Sequence, residues 1–413
     1  MSSETQARRE DGWLYLPGNA RVLALSALVW SLGSSMASPY QANFFYEVGA
    51  TPVFIGLLMA ASSAVTASAQ LVGGYVADRW GRKKVIVAFS FLSAASGWLF
   101  VFIDRYQLLI LPVMLGAISG VYGPAFSALL SESMRPELRA KGVASFMLVT
   151  YLPSVFCPYL GGFLMTRFGA LPGLRIAYFL SGLLGVVGIA YRALRLEETY
   201  AGEGALGGGL RIVILDTLRS YVEAAKQMTS GARRLLAYSL VASVGSGLTA
   251  PYVSLYVIET LRVEADYYGL LANVAGVMNI IFLFASTAVF KRAGLRRTAI
   301  YASLSVPVSQ FLFVRSKGMN DLVTWTVVGA AGSAFLGPSI AALQADLTPK
   351  EARGRLMALF SFLPLVLAVP AQVVGGYLYE NVDPLAPFAV SLPVFVFAAA
   401  ILVGLKEPET FYG

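Results

Sequence analysis

The sequence predicts an all-α integral membrane protein with twelve transmembrane helices in two six-helix bundles related by pseudo-two-fold symmetry. Three observations carry this. Of 413 residues, 57% are hydrophobic and only 13% are charged, about half the charged share of a soluble domain, and the mean hydropathy is +0.68. Apolar runs of membrane length, about twenty residues, recur along the whole chain. The first half of the chain is also echoed in the second. Ser31-Leu32-Gly33-Ser34, Pro39-Tyr40 and Glu47 return as Ser243-Val244-Gly245-Ser246, Pro251-Tyr252 and Glu259, a constant shift of 212. Gly123-Pro124, Ala128-Leu129, Glu137, Arg139, Phe146 and Gly161-Gly162 return at a shift of 214, from Gly337-Pro338 to Gly375-Gly376. A near-constant shift over this distance implies duplication of a six-helix unit in parallel orientation.

The polar segment 1–21 reads as a cytoplasmic tail without the apolar core of a signal peptide. The first six spans are placed at 22–45, 53–76, 83–103, 106–130, 142–165 and 174–193, making an N-terminal bundle over 22–193. The last six are placed at 235–258, 268–290, 298–315, 321–345, 356–378 and 385–405, making a C-terminal bundle over 235–405. Residues 194–234 form the one long link, and 406–413 a short cytoplasmic tail. In the link, Leu210, Ile214, Leu218, Tyr221 and Val222 recur at helical spacing opposite Arg211, Arg219, Glu223 and Lys226. That fits an amphipathic helix on the inner membrane surface and, equally, a plain tether.

Charge sets the orientation. With the N-terminus inside, the inner segments hold 25 of the 31 Lys and Arg and the outer links hold 6. Cations favour the cytoplasmic side, so both termini are expected there, in the cell membrane. The net charge of +8 would suggest nucleic acid in a soluble protein; here it lies on membrane loops, and no nucleic-acid partner is expected. The single cysteine, Cys157, excludes an intramolecular disulfide, and histidine is absent. A membrane-embedded enzyme would need a nucleophile or metal cluster inside the spans, and a retinal protein a midmembrane Lys. The sequence offers neither, so no enzyme activity, metal or cofactor is expected. The expected partners are the lipid bilayer and a small-molecule substrate, and the expected state is a monomer.

The densest charge cluster between two closely spaced spans is Gly73-Gly74-Tyr75-Val76-Ala77-Asp78-Arg79-Trp80-Gly81-Arg82-Lys83-Lys84. Gly81 permits an abrupt reversal because it tolerates positive φ. Asp78, an acid at the membrane edge, needs a cation or a helix N-terminus as partner. Gly74, Asp78, Arg79, Gly81, Arg82 and Lys83 resemble the loop between helices two and three of the major facilitator superfamily. In the second half the acid is replaced by Lys291, while Arg292 and Gly294 persist. The resemblance covers nearly the whole chain and implies an alternating-access transporter. It implies that Asp78 meets the N-terminus of the eleventh helix, near Arg353, when the cytoplasmic side is shut. Glu132 and Asp346, at the inner ends of spans four and ten, are expected to hold Arg82 and the opposite basic loop in the same network.

By analogy with that fold, the substrate pocket lies at the midplane between the halves. Candidate residues at suitable depth are Ser34, Ser38, Gln41, Ser119, Tyr122, Ser246, Thr249, Tyr252, Asn279, Ser333 and Gln372. Gln41, Asn279 and Gln372 stand out, because an amide in hydrocarbon needs a hydrogen-bond partner; either a substrate or a neighbouring helix can supply it. No Asp, Glu, Lys or Arg is placed near the middle of a span. Proton-coupled members often carry a carboxylate there, and drug antiporters often carry an Arg four residues before a Gly in span four. Here that Gly is Gly116 and the position is Pro112. The span-five antiporter pattern survives only as Cys157-Pro158-Tyr159-Leu160-Gly161-Gly162, where the paired glycines suit close helix packing. Glu47 and Glu259, at the outer ends of spans one and seven, suit an outer gate or two solvated helix ends. The preferred reading is transport of a small, uncharged or amphipathic organic solute. The alternatives are a proton-coupled efflux antiporter for hydrophobic compounds and a non-transporting receptor on the same fold.

Overall fold

A computed structural model describes residues 14–199, 219–349 and 353–405 of the chain, and every regular element among them is helical. The first six long helices are α1 (Gly18–Glu47), α2 (Pro52–Trp80), α3 (Arg82–Val101), α4 (Tyr106–Glu132), α5 (Lys141–Phe168) and α6 (Ala170–Arg195). A short helix over 219–226, α7, follows in the link. The remaining six are α8 (Ser230–Thr260), α9 (Ala265–Ala293), α10 (Leu295–Arg315), α11 (Met319–Asp346), α12 (Arg353–Asn381) and α13 (Ala386–Val403). Among the described residues, eleven of these helices are long and apolar enough to cross a membrane. The twelfth, α10, is less apolar because Arg296 and Arg297 fall in its first turn and Arg315 ends it. It nevertheless covers the same depth as α11. Ala299 near its start packs in the core that holds Leu343, and Phe313 near its end packs in the core that holds Leu322.

Helix breaks follow the sequence. Pro39 and Pro251 each sit in a short 3-10 turn, Ser38–Tyr40 in α1 and Ala250–Tyr252 in α8, because a proline removes a backbone donor and clashes with the preceding turn. Thr51 and Thr229 cap α2 and α8, each accepting from a backbone N–H three residues on. Gly81 and Gly294 reverse the chain after α2 and α9 with φ of +91° and +79°, a conformation that side chains resist.

Packing partners in the first half recur in the second. Helix α1 packs on α5 and α6, α2 on α4, and α3 on α4 and α6. Correspondingly, α8 packs on α12 and α13, α9 on α11, and α10 on α11 and α13. The halves meet along α2–α12 and α5–α9.

Buried apolar side chains gather in three cores. One joins both halves at the end away from the basic loops, from Tyr40, Phe44 and Phe45 to Tyr252, Leu255, Phe313 and Phe388. At the basic end there are two separate cores. One belongs to the first half, around Leu23, Ile86 and Leu129. The other belongs to the second half, around Leu235, Leu343, Leu356 and Leu402. The described part of the link joins the latter. Ala224 and Met228 are buried there, and Tyr221 lies 6.3 Å from Phe362, so α7 docks beneath the second half. The amphipathic pattern upstream, from Leu210 to Leu218, lies outside the described residues.

Candidate functional site

The end away from the basic loops is closed by a motif used twice. At the α5–α9 crossing, the buried Tyr40 hydroxyl lies 2.7 Å from Pro158 O and 3.0 Å from Ala265 O. At the α2–α12 crossing, the buried Tyr252 hydroxyl donates to Gln372 O at 2.7 Å. Glycines let the helices approach. A Cβ on Gly162 would fall 2.2 Å from Ala265 O, and one on Gly376 2.5 Å from Pro52 O. Their neighbours Gly161 and Gly375 serve contacts inside each half, against Met36 O at 2.0 Å and Leu248 O at 2.4 Å. The repeats Pro39-Tyr40/Pro251-Tyr252 and Gly161-Gly162/Gly375-Gly376 are therefore one closure, built once per half. Two polar contacts reinforce it: Val53 N–H donates to Glu380 at 2.8 Å, and Ser63 meets the Gln372 amide at 3.1–3.2 Å.

At the basic end, the α2–α3 loop is held within its own half. Arg82 pairs with Glu132. Glu198, just past α6, accepts from the backbone N–H groups of Arg82 and Lys83, stabilising the positive end of α3. Arg79 reaches the Tyr75 hydroxyl at 3.4 Å, and a side chain at Gly74 would meet nothing within 4 Å. Asp78 is exposed and has no hydrogen-bond or ion-pair partner among the described residues. Across the gap, Arg353 donates to Ala345 O at 3.0 Å and Asp346 is exposed.

The candidate pocket residues divide. Tyr122 lines a recess described below. Thr249 is buried and donates to Gly245 O of its own helix. Asn279 donates to Ser333 at 2.9 Å, joining α9 to α11. Gln41 is half-buried and Ser38 exposed. Tyr252 and Gln372 belong to the closure already described.

The recess has a volume of about 340 Å³ and lies inside the first half, between α1, α4, α5 and α6. Trp30, Tyr122, Phe126 and Phe146 supply aromatic wall, and Ser31, Ser127 and Thr150 supply hydroxyls. Arg192 forms one side. It is 4% exposed, and is the one buried charged side chain among the described residues. Its Nε donates to Ser26 at 2.8 Å and its Nη1 to Ser90 at 2.6 Å, while the guanidinium carbon lies 5.5 Å from the Phe126 ring centre. The charge count groups Arg192 with the inner segments although the sixth span is drawn to 193, and in the structure it lies three residues from the end of α6. Helical side chains lean toward the N-terminus, which carries this one back into the bundle. The signal that finds it is direction along the helix rather than distance from its end.

The sequence model of the Major Facilitator Superfamily matches residues 23–314 and 235–411. An uncharacterized MFS-type transporter of Bacillus subtilis, YqjV, is 27% identical over 172 residues, an alignment spanning 40% of each chain. The multidrug resistance protein MdtH of Salmonella arizonae is 23% identical over 395 residues, covering 94% of this chain and 90% of MdtH. In three dimensions the fold is similar to that of the nucleoside transporter NupG, with a TM-score of 0.67 at 12% identity over 93% of this chain and 97% of NupG. With the family model matched along nearly its whole length, this multi-pass membrane chain belongs to the major facilitator superfamily of transporters.

Proposed function

We propose that two equivalent six-helix bundles rock about a central cavity to move a small, uncharged or amphipathic organic solute by alternating access. One observation carries this reading. The end with Tyr40 and Tyr252 shares a single core, whereas each half keeps its own core at the basic end. That is the arrangement of a cavity shut on one side and open on the other. Lys and Arg concentrate at the open end, so the open side is the cytoplasmic one, in the cell membrane with both termini inside. That Asp78 has no partner among the described residues fits the same state, its latch released. The repeated packing pairs support the equivalence of the bundles, with the link over 194–234 as the tether between them.

In this reading Gly74, Asp78, Arg79, Gly81, Arg82, Lys83, Glu132, Asp346 and Arg353 form the inner gate, and Tyr40, Tyr252 and the paired glycines form the outer one. The test is sidedness. A Gly123→Cys probe in a Cys157→Ala background should react with a membrane-impermeant maleimide from the cytoplasmic face. Reaction only from the outer face would sink the proposal. A second reading, proton-coupled efflux of hydrophobic compounds, is favoured by the likeness to a multidrug resistance protein. A pH jump across proteoliposomes separates the two, since only a coupled protein drives solute uphill on a proton gradient.

A further inference from the structure

We infer that the Arg192 recess is a binding site for the carboxylate of an aromatic amphipathic solute. The inference rests on the transporter reading and narrows its substrate class. A guanidinium carries five N–H donors. Two are used, on Ser26 and Ser90, and Nη2 has no hydrogen-bond partner among the described residues. No carboxylate of the described chain pairs with Arg192. A buried charge without a counter-ion is costly, and an anion seated against it relieves that cost. The serines and the Phe126 face hold the guanidinium at the wall of the cavity that Arg192 lines.

The surroundings select the anion. One cation and three free donors match a single carboxylate, which a guanidinium grips with two parallel bonds; no second Arg or Lys lines the cavity to neutralise a phosphate. Trp30, Tyr122, Phe126 and Phe146 give flat apolar walls, suited to a ring system. The volume lies near the lower end of the range for small organic ligands, about 300 to 1,000 Å³. Helix ends elsewhere do not require such a residue. The second half repeats the fold, yet buries no cation among its described residues.

The experiment is calorimetric titration of purified full-length protein with 1-naphthoate and its neutral isostere 1-naphthamide. The naphthoate should bind about tenfold tighter or more, the usual margin for a hydrogen bond to a charged group. In Arg192→Gln the preference should vanish while naphthamide binding persists. Should that variant not fold, Gly123→Leu decides independently. A Cβ at Gly123 meets no atom within 4 Å, so the leucine fills the recess with Arg192 intact; both ligands should lose binding at an unchanged melting temperature. Equal affinity for the two ligands, no binding of naphthoate to the wild-type protein, or wild-type binding by Gly123→Leu would each overturn the assignment. Displacement of naphthoate by equimolar inorganic phosphate would overturn the choice of carboxylate. Binding is read without flux, so failure of the site and failure of transport are separate results.

Discussion

Adjacent glycines in α5 should give opposite phenotypes when each becomes alanine. A Cβ on Gly162 would lie 2.2 Å from Ala265 O and 2.6 Å from Asp266 Cα, both across the gap between halves. An ordinary C···O approach is about 3.3 Å, so α5 and α9 must part by about 1 Å. Overpacking of this kind costs about 1 to 3 kcal/mol. In the proposed cycle the α5–α9 contact exists only while the outer end is shut. The penalty then falls on one state alone and shifts the equilibrium toward the outward-open form by about 5- to 150-fold. Gly161 differs. Its Cβ would lie 2.0 Å from Met36 O, within the same half, and that contact persists in both states. Gly161→Ala should therefore lower the melting temperature and leave the balance of states alone. The Gly123→Cys probe reads the balance: its cytoplasmic labelling should slow in Gly162→Ala and stay unchanged in Gly161→Ala. Gly376 and Gly375 should repeat the contrast. Equal labelling rates in Gly162→Ala and the parent would refute the idea that this crossing opens.

Asp78→Asn should leave labelling of the inward-open form intact yet slow transport several-fold, because a carboxylate at a helix N-terminus contributes about 0.3 to 2 kcal/mol; flux at the parent rate would remove Asp78 from the gate. Tyr40→Phe deletes a hydroxyl held by Ala265 O across the halves, so it should cost the outward-closed state about 1 kcal/mol, whereas Tyr252→Phe deletes a bond to Gln372 O inside the second half and should lower the melting temperature with the balance of states unchanged. The same maleimide assay separates the two, and the double variant should label as Tyr40→Phe does, since the two bonds share no partners. Gly81→Ala places a side chain at φ +91° and ψ 146°, a region left to glycine at about 1 to 3 kcal/mol; thermal melting should register the loss.

The fold was readable because its information is periodic and long-range symmetric. Apolar runs of membrane length separated by short links mark the long helices, and α10 was legible despite its arginines because they fall at its two ends. The repeat at a shift of 212 to 214, read from sequence as a sign of duplication, contains the residues of the closure, Pro39-Tyr40 with Pro251-Tyr252 and Gly161-Gly162 with Gly375-Gly376. Its meaning was harder to read. Tyr252 and Gln372 look like pocket residues because polar groups at that depth need partners; only the α2–α12 crossing shows that the partners are each other and Ser63. Glu198 carries no motif of its own, and its role as a cap on α3 follows from where α6 ends. Arg192 was hidden by the counting that fixes topology, since a cation three residues from a helix end is scored as loop. Ser26 and Ser90, which hold it, are ordinary packing residues until three helices are brought together.

The two ends of the molecule are governed by different physics. At the end away from the basic loops, closure is a matter of shape: buried tyrosines, glycine crossings and a shared apolar core. The residues assigned to the inner gate are charged and mostly exposed, with Asp78, Arg79 and Asp346 open to solvent and Glu132 44% exposed in its pair with Arg82. Exposed charges are screened within about 8 Å at physiological ionic strength and within about 3 Å at 1 M. Raising salt should therefore weaken inner closure and spare outer closure, so cytoplasmic labelling of Gly123→Cys should rise with ionic strength. In Asp78→Asn, where the attraction is already lost, the salt response should be blunted. A salt response of equal size in both proteins would mean that the latch is built from other charges.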